Sequence, residues 1–386
     1  MKEGGLKDMK KFYLITPGPT PIPPEVAAQS ALPIIHHRTH EFGDVFDAVS
    51  QGMKYVYQTT KDVLIMTSSG SGAMESAVAN VVSPGDKVIV AAGGSFGERW
   101  IKINTAFGAN VVALKDELGK SVDVEKVREA LKANPDAKAV FCQHTETSTG
   151  VVNDLKALGE IVAATPAILV VDAISGLGGE ELHMDDWKLD VVVAGSQKGL
   201  MIAPGLAFSC VSDKAWKMVE ACKNHRFYFD YRLIKKSIPN KETPWTPAVT
   251  LMQSLRASLA MIKSDGIENV WARHRRLAKA TRAGMQGLGL KLFATNPCSV
   301  LTSAHLPPSV DGNKLVNWMR DDLGVSVAGG QESLKGKIVR LAHMGYMDQF
   351  DILVGLTALE AGLKKFGASV QPGKAAQAAT EAFAAA

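Results

Sequence analysis

Apolar residues fall in two rhythms along this chain, and the switching between them predicts its architecture. Residues 63–66, 87–91, 110–114, 139–142, 168–172, 191–194 and 205–211 are apolar runs of strand length. Between them, residues 41–58, 73–82, 98–107, 124–133 and 155–164 read as helices. Phe42, Val45, Val49, Met53 and Val56 trace one such helical face. Strands alternating with helices predict an α/β fold with a mostly parallel, seven-stranded-type sheet between helices. From residue 248 the rhythm changes. Leu251, Leu255, Leu259 and Ile262 mark a long helix, Gly266 interrupts it, and residues 270–287 resume it with many Arg and Lys. Strands near residues 299–303, 325–328 and 338–341, with helices at 311–322 and 348–366, predict a second, smaller α/β unit.

This segmentation implies an N-terminal arm at residues 1–20, with its first eleven residues loose. A large domain at 21–265 and a small C-terminal domain at 266–366 follow. An Ala-rich tail at 367–386 is expected to be poorly ordered. Residues 14–24 hold five prolines, whose fixed φ and missing donors exclude a helix interior. An extended segment crossing a surface is expected there.

Composition narrows the function. The chain has 386 residues, 46% hydrophobic and 21% charged, the profile of a soluble globular protein. Its net charge of +4 comes from acids and bases mixed along the chain. Without a basic stripe, nucleic acid is not an expected partner. No apolar run approaches the ~20 residues of a membrane helix, and the start lacks the apolar core of a secretory signal. Cys142, Cys210, Cys222 and Cys298 are scattered without metal-like spacing, which fits reduced structural thiols in the cytoplasm and no metal site.

Two strand ends carry the chemistry. Residues 191–194 run straight into Gly195-Ser196-Gln197-Lys198, and the run at 168–171 ends in Asp172. In open α/β sheets, ligands sit at the carboxyl edge of the strands. A lysine for a Schiff base and an acid facing a pyridinium nitrogen are what a pyridoxal phosphate enzyme requires. By position alone, Lys198 is equally a solvated surface charge and Asp172 equally a helix cap. Their settings argue otherwise. Uncharged residues from Gly199 to Gly205 follow Lys198, and a desolvated lysine has a depressed pKa and becomes a nucleophile. Residues 67–72, Thr-Ser-Ser-Gly-Ser-Gly, lie between a strand and a helix of small residues. Such a turn aims free amides at a phosphate, although an ordinary tight turn has the same composition.

Taken in order, several motifs resemble the class V aminotransferases of pyridoxal phosphate fold type I, especially the alanine–glyoxylate and serine–pyruvate branch. They are Thr16-Pro17-Gly18-Pro19, Ser69-Gly70-Ser71, Glu146-Thr147-Ser148-Thr149-Gly150, Val171-Asp172-Ala173, Gly195-Ser196-Gln197-Lys198, Thr243-Pro244-Trp245-Thr246-Pro247 and Gly336-Lys337-Ile338-Val339-Arg340. The resemblance spans residues 12–366. It implies pyridoxal 5'-phosphate as cofactor, Lys198 as the Schiff-base lysine and Asp172 as partner of the ring nitrogen. Ser69, Gly70 and Ser71 would cup the phosphate with help from Gln197. Thr147 would sit near the ring hydroxyl, and Phe96, where relatives often have Trp or Tyr, would cover the ring.

The same resemblance implies a homodimer with shared sites, in which Thr246 reaches the neighbour's phosphate. Thr243 belongs to the same motif, though some relatives carry Tyr there. Gly18 would lie near the substrate, and Arg340 would clamp its α-carboxylate. The implied reaction is ping-pong transamination between a small amino acid, alanine or serine, and a 2-oxo acid such as glyoxylate or pyruvate. His37-Arg38 resembles a pair that phosphoserine aminotransferases use near a distal anion, which leaves aspartate and phosphoserine open as donors. Two rival readings are a desulfurase or lyase on the same fold and a non-catalytic subunit. A desulfurase needs a mobile nucleophilic Cys, and Cys298 has no glycine-rich loop around it. The complete Lys198, Asp172 and Arg340 set argues against a scaffold.

Overall fold

The computed structural model describes residues 10–385. The loose arm expected at residues 1–11 therefore lies, up to residue 9, outside the described residues. Seven strands form the main sheet: β1 Val63–Thr67, β2 Lys87–Ala92, β3 Asn110–Lys115, β4 Ala139–Gln143, β5 Ile168–Asp172, β6 Val191–Gly195 and β7 Leu206–Val211. Their spatial order is β1-β7-β6-β5-β4-β2-β3. The pairings from β6 through β3 are all parallel. Only β7 runs backwards, antiparallel to both β6 and β1. The carboxyl ends of the other six strands consequently open on one edge.

Helices cover both faces of this sheet, which is why its central strands read as unbroken apolar runs. Every residue of β4, β5, β6 and β7 is buried. Side chains alternate between the faces as the pleat requires. Val192 and Ala194 join a core with the His40–Tyr57 and Val249–Asp265 helices, while Val191 and Val193 pack with the Gly70–Val81 helix on the other side. Gly266, at φ +81°, ends the Val249–Asp265 helix and starts Ile267–Gly287, as the sequence predicts.

A second sheet of three antiparallel strands, β8 Leu301–His305, β9 Ala328–Gly329 and β10 Ile338–Ala342, has the order β8-β10-β9. The strand expected at 325–328 divides. Val325–Ser326 pairs in parallel with Tyr13–Leu14, and Ala328–Gly329 joins β10. The proline-rich segment does more than cross a surface: Ile15 is 1% exposed in the core of the small unit. Its prolines tolerate this because the segment borrows its backbone partners, Ser326 O for Ile15 N and Gln197 O for Thr20 N.

The expectation of a poorly ordered tail is corrected. Lys374–Ala384 is a helix that buries Ala375, Ala379 and Phe383, one face at i, i+4 and i+8. It packs along the Ile267–Gly287 helix, where glycines let the backbones approach. A Cβ on Gly287 would lie 2.9 Å from Lys374 O, and one on Gly284 would lie 3.1 Å from Ala375 O. Low hydrophobicity hides this face, because alanine buries well against a partner that supplies little bulk. Phe383→Ala should destabilise the protein by about 2–4 kcal/mol, at or below the range for removing a core aromatic. Denaturant titration measures this, and an unchanged midpoint would show that the helix adds nothing to stability.

Candidate active site

The shared carboxyl edge brings eight of the predicted residues to one cleft of about 120 Å³. Its lining includes Ser69, Gly70, Ser71, Phe96, Thr147, Asp172, Gln197 and Lys198, contributed by segments that follow different strands. Asp172 is the last residue of β5, and Lys198 follows the end of neighbouring β6. Ser69 caps the Gly70–Val81 helix, its Oγ accepting from Gly72 N at 3.3 Å. Gly70 and Ser71, the first residues of that helix, line the cleft, and the start of a helix favours an anion. Gly70 must remain small, since a Cβ there would lie 2.8 Å from Ile174 Cδ1.

Burial sets the electrostatics. Asp172 is 5% exposed, and desolvation pushes its carboxyl up to about 7. The Ile174 amide, donating to Asp172 Oδ1 at 2.8 Å, opposes that rise, while nearby Glu146 adds to it. Half-buried Lys198 is lowered to about 8, chiefly by desolvation. The Asp172 charge resists this shift, and Arg340 and Arg99 reinforce it. Each group is thus poised near neutrality and waits for a partner of opposite charge. Lys198 Nζ donates to Pro17 O, which places the proline-rich segment against the lysine. Gly18 packs directly on the same side chain. At φ +131°, a Cβ there would come within 2.5 Å of Lys198 Cε and 2.7 Å of Cδ.

Arg340 comes from β10 and is 4% exposed. Nε donates to Gly329 O at 2.9 Å and Nη1 to Thr147 O at 2.6 Å, which fixes the plane of the guanidinium. Burial lowers it to about 10, and Glu146 opposes the shift. Glu146 itself accepts from Phe96 N, Gly97 N and Ser148 N, each at 3.1 Å, and from Ser148 Oγ at 2.5 Å. The sequence reading gave Glu146 no role. It also missed Arg99, Thr145 and Ser175, which line the cleft. Arg99 was out of reach because the helix expected at 98–107 leaves Phe96 outside it; the helix in fact spans Ser95–Ala106 and puts the two residues, three apart, on one face.

Four predicted residues lie elsewhere on this chain. Thr243 and Thr246 line a separate crevice with Tyr228 and Trp245. Thr243 is buried, with Oγ1 donating to Trp245 O at 2.6 Å, whereas Thr246 is exposed. Arg38 is ion-paired with Glu242. Its neighbour His37 is half-buried, and desolvation and the adjacent His36 and Arg38 lower its pKa. Neither residue lines the Lys198 cleft.

The residues present fit pyridoxal 5'-phosphate. Thr145 Oγ1 and Gln197 Oε1 belong to cleft-lining residues and are buried without a hydrogen-bond partner, so a polar ligand is missing from their surroundings. A helix start, a phenyl face, an acid and an amine match in turn a phosphate, a ring, a ring nitrogen and an aldehyde. Comparison with known proteins agrees. Residues 12–352 match the family model described as aminotransferase class-V. The soluble hydrogenase 42 kDa subunit of Anabaena cylindrica is 41% identical, over 92% of this chain and 94% of that protein. The L-aspartate–glyoxylate aminotransferase of Paracoccus denitrificans is 34% identical, with 96% of both chains covered. The serine–glyoxylate aminotransferase of Methylorubrum extorquens is also 34% identical, with 95% of both covered. Among solved structures, ureidoglycine-glyoxylate aminotransferase from Bacillus subtilis superposes with a TM-score of 0.92 at 28% identity, covering 97% of this chain and 99% of that one. With the cleft and these likenesses together, the chain belongs to the class-V aminotransferases, transaminases of fold type I that work with pyridoxal 5'-phosphate.

Proposed function

We propose that this aminotransferase moves the amino group of alanine or serine to glyoxylate or pyruvate, as a cytoplasmic homodimer with shared sites. The observation that carries the donor choice is the Arg38–Glu242 pair. Arg340 serves the α-carboxylate common to all donors. Arg38, the residue expected to meet a second anion, is already neutralised, so a donor with a small uncharged side chain suits the site. The relatives named for glyoxylate support the acceptor.

In the proposed roles, Ser69, Gly70, Ser71 and Gln197 hold the phosphate, Phe96 covers the ring and Thr147 borders it. Bound pyridoxal phosphate supplies an electron sink for the carbanion formed at the substrate Cα. The protein does the rest. Arg340 fixes the donor by its carboxylate through a planar, preorganised fork. Asp172 keeps a proton on the ring nitrogen by ion pairing. Lys198 Nζ accepts the proton leaving Cα and returns it at the other end of the transfer. Gly18 keeps the space that this amine sweeps free of any side chain. Arg340 would hold the second oxo acid by its carboxylate as it held the donor, so one set of residues would serve both halves of the exchange.

For the shared site, exposure is the support. Thr246 is exposed next to Trp245, against which the exposed Phe227 and Tyr228 pack with ring centroids 4.8 and 6.1 Å away. Patches of that kind mark protein contacts. In the dimer we propose, Thr246 completes the partner's phosphate site from this surface, with Thr243 bracing the loop through Trp245 O.

A panel of alanine, serine, aspartate and phosphoserine against glyoxylate, pyruvate and 2-oxoglutarate tests the substrate reading. Faster turnover of aspartate or phosphoserine than of alanine and serine would overturn it. For Lys198, the rate at which cofactor-free protein captures pyridoxal phosphate should rise with pH through about 8, where the neutral amine forms. Lys198→Ala should abolish borohydride-fixed attachment, and attachment at another lysine would refute the assignment. Asp172→Asn should bind cofactor yet lose about 10³-fold in single-turnover rate, ~4 kcal/mol of barrier. A rate near that of the native protein would remove Asp172 from the mechanism. Mixing Lys198→Ala with Thr246→Ala subunits should restore part of the activity by creating one intact site per hybrid. Failure to do so, with Thr246→Ala alone defective, would place Thr246 in its own chain's site.

A further inference from the structure

We propose that Arg99 is a ligand of the cofactor phosphate, supplying the positive charge that the Ser69-Gly70-Ser71 cup lacks. The inference rests on the pyridoxal phosphate reading and assigns a role to a residue that the sequence motifs leave out.

A bound phosphate monoester carries nearly two negative charges, whereas a helix start offers about half a positive charge. The hydroxyls and amides of the cup are neutral. Two cationic residues line the cleft, Lys198 and Arg99. Lys198 is committed to the aldehyde end, which leaves Arg99 for the phosphate end. Its position suits that task. Arg99 Nη1 donates to Ser71 Oγ at 2.9 Å, so the guanidinium already touches the cup. The guanidinium carbon lies 4.9 Å from the centroid of the Phe96 ring, which holds its plane in place. Among the described residues, no carboxylate forms an ion pair with Arg99, and adjacent Glu98 pairs with Lys115 instead, at 2.7 Å. The remaining guanidinium donors are available to phosphate oxygens in the planar geometry that arginine favours. Placing Phe96 and Arg99 one helical turn apart lets a single helix cover the ring and neutralise its phosphate.

Binding to cofactor-free protein tests this without relying on catalysis. Pyridoxal phosphate and pyridoxal, which lacks the phosphate, are titrated into the native protein, Arg99→Gln and Arg99→Lys, with circular dichroism checking the fold. Arg99→Gln should weaken pyridoxal phosphate about 10- to 100-fold, the loss expected for a charged hydrogen bond. Pyridoxal should change by less than about threefold, and Arg99→Lys should recover part of the loss. Inorganic phosphate should raise the melting temperature of the cofactor-free native protein and raise that of Arg99→Gln far less. An equal loss for both ligands would overturn the proposal and make Arg99 a brace for Phe96. Unchanged pyridoxal phosphate affinity in Arg99→Gln would overturn it as well. Should Arg99→Gln fail to fold, Arg99→Lys and the phosphate protection of the native protein decide. Native protein that binds pyridoxal but gains nothing from phosphate would refute this inference alone. Native protein that binds neither ligand would refute the cofactor reading and this inference together.

Discussion

An acid and an amine, each denied water, face one cleft from the ends of adjacent strands, and the rest of the molecule is arranged around that fact. Burying either charge alone is costly, and the cost appears as a carboxyl raised to about 7 and an ammonium lowered to about 8. A rigid parallel sheet can hold such groups because β5 and β6 are buried throughout and fixed to each other in register. The reversed β7 leaves the direction of β1 unchanged, so the turn at Ser69 reaches the same edge. A charged ligand that binds there relieves a penalty already built into the fold, which is how preorganised sites gain selectivity for one cofactor.

Glu146 ties the Phe96 side of the cleft to Arg340. Its carboxylate receives the first amides of the Ser95–Ala106 helix, which carries Phe96 and Arg99. The next residue along the chain, Thr147, receives Arg340 through its carbonyl. Phe96 and Arg340 are therefore both positioned by a single loop. Four donors compensate the burial of Glu146, although desolvation still raises its pKa. The remaining negative charge also favours the cationic form of Arg340, so the acid supports that residue electrostatically as well as mechanically.

Much of this was legible because parallel strands buried on both faces leave a plain apolar signature. Asp172 and Lys198 could be read because polar residues that end such runs have few places to go. Boundaries were less legible where elements are short. Residues 325–328 serve two different sheets, and nothing in four residues encodes a division that long-range pairing decides. The Lys374–Ala384 helix escaped notice because its buried face is mostly alanine, and its fit depends on glycines far away in sequence at 284 and 287. Arg99 and Thr145 escaped for a different reason. Each becomes functional only when separate segments meet, and an isolated Arg or Thr has no pattern. Thr246 and Arg38 show the converse, since motif order marked them while the geometry of one chain places them outside its cleft.

Neighbouring chemistries on such a fold differ in small groups, and burial discriminates among them here. Desulfuration requires a cysteine thiolate that can travel to the substrate. Cys298 is buried, its Sγ donates to Leu301 O at 3.5 Å, and desolvation pushes the thiol up to about 12. A thiol in that state is neither ionised near neutral pH nor free to move. Among the described residues, no group of three or more His, Cys, Asp or Glu side chains is placed to hold a metal ion. The cleft brings together an amine of depressed pKa and a carboxyl of raised pKa, with an arginine of fixed guanidinium plane beside Thr147. Those three groups suit proton transfer at the α-carbon of an amino acid.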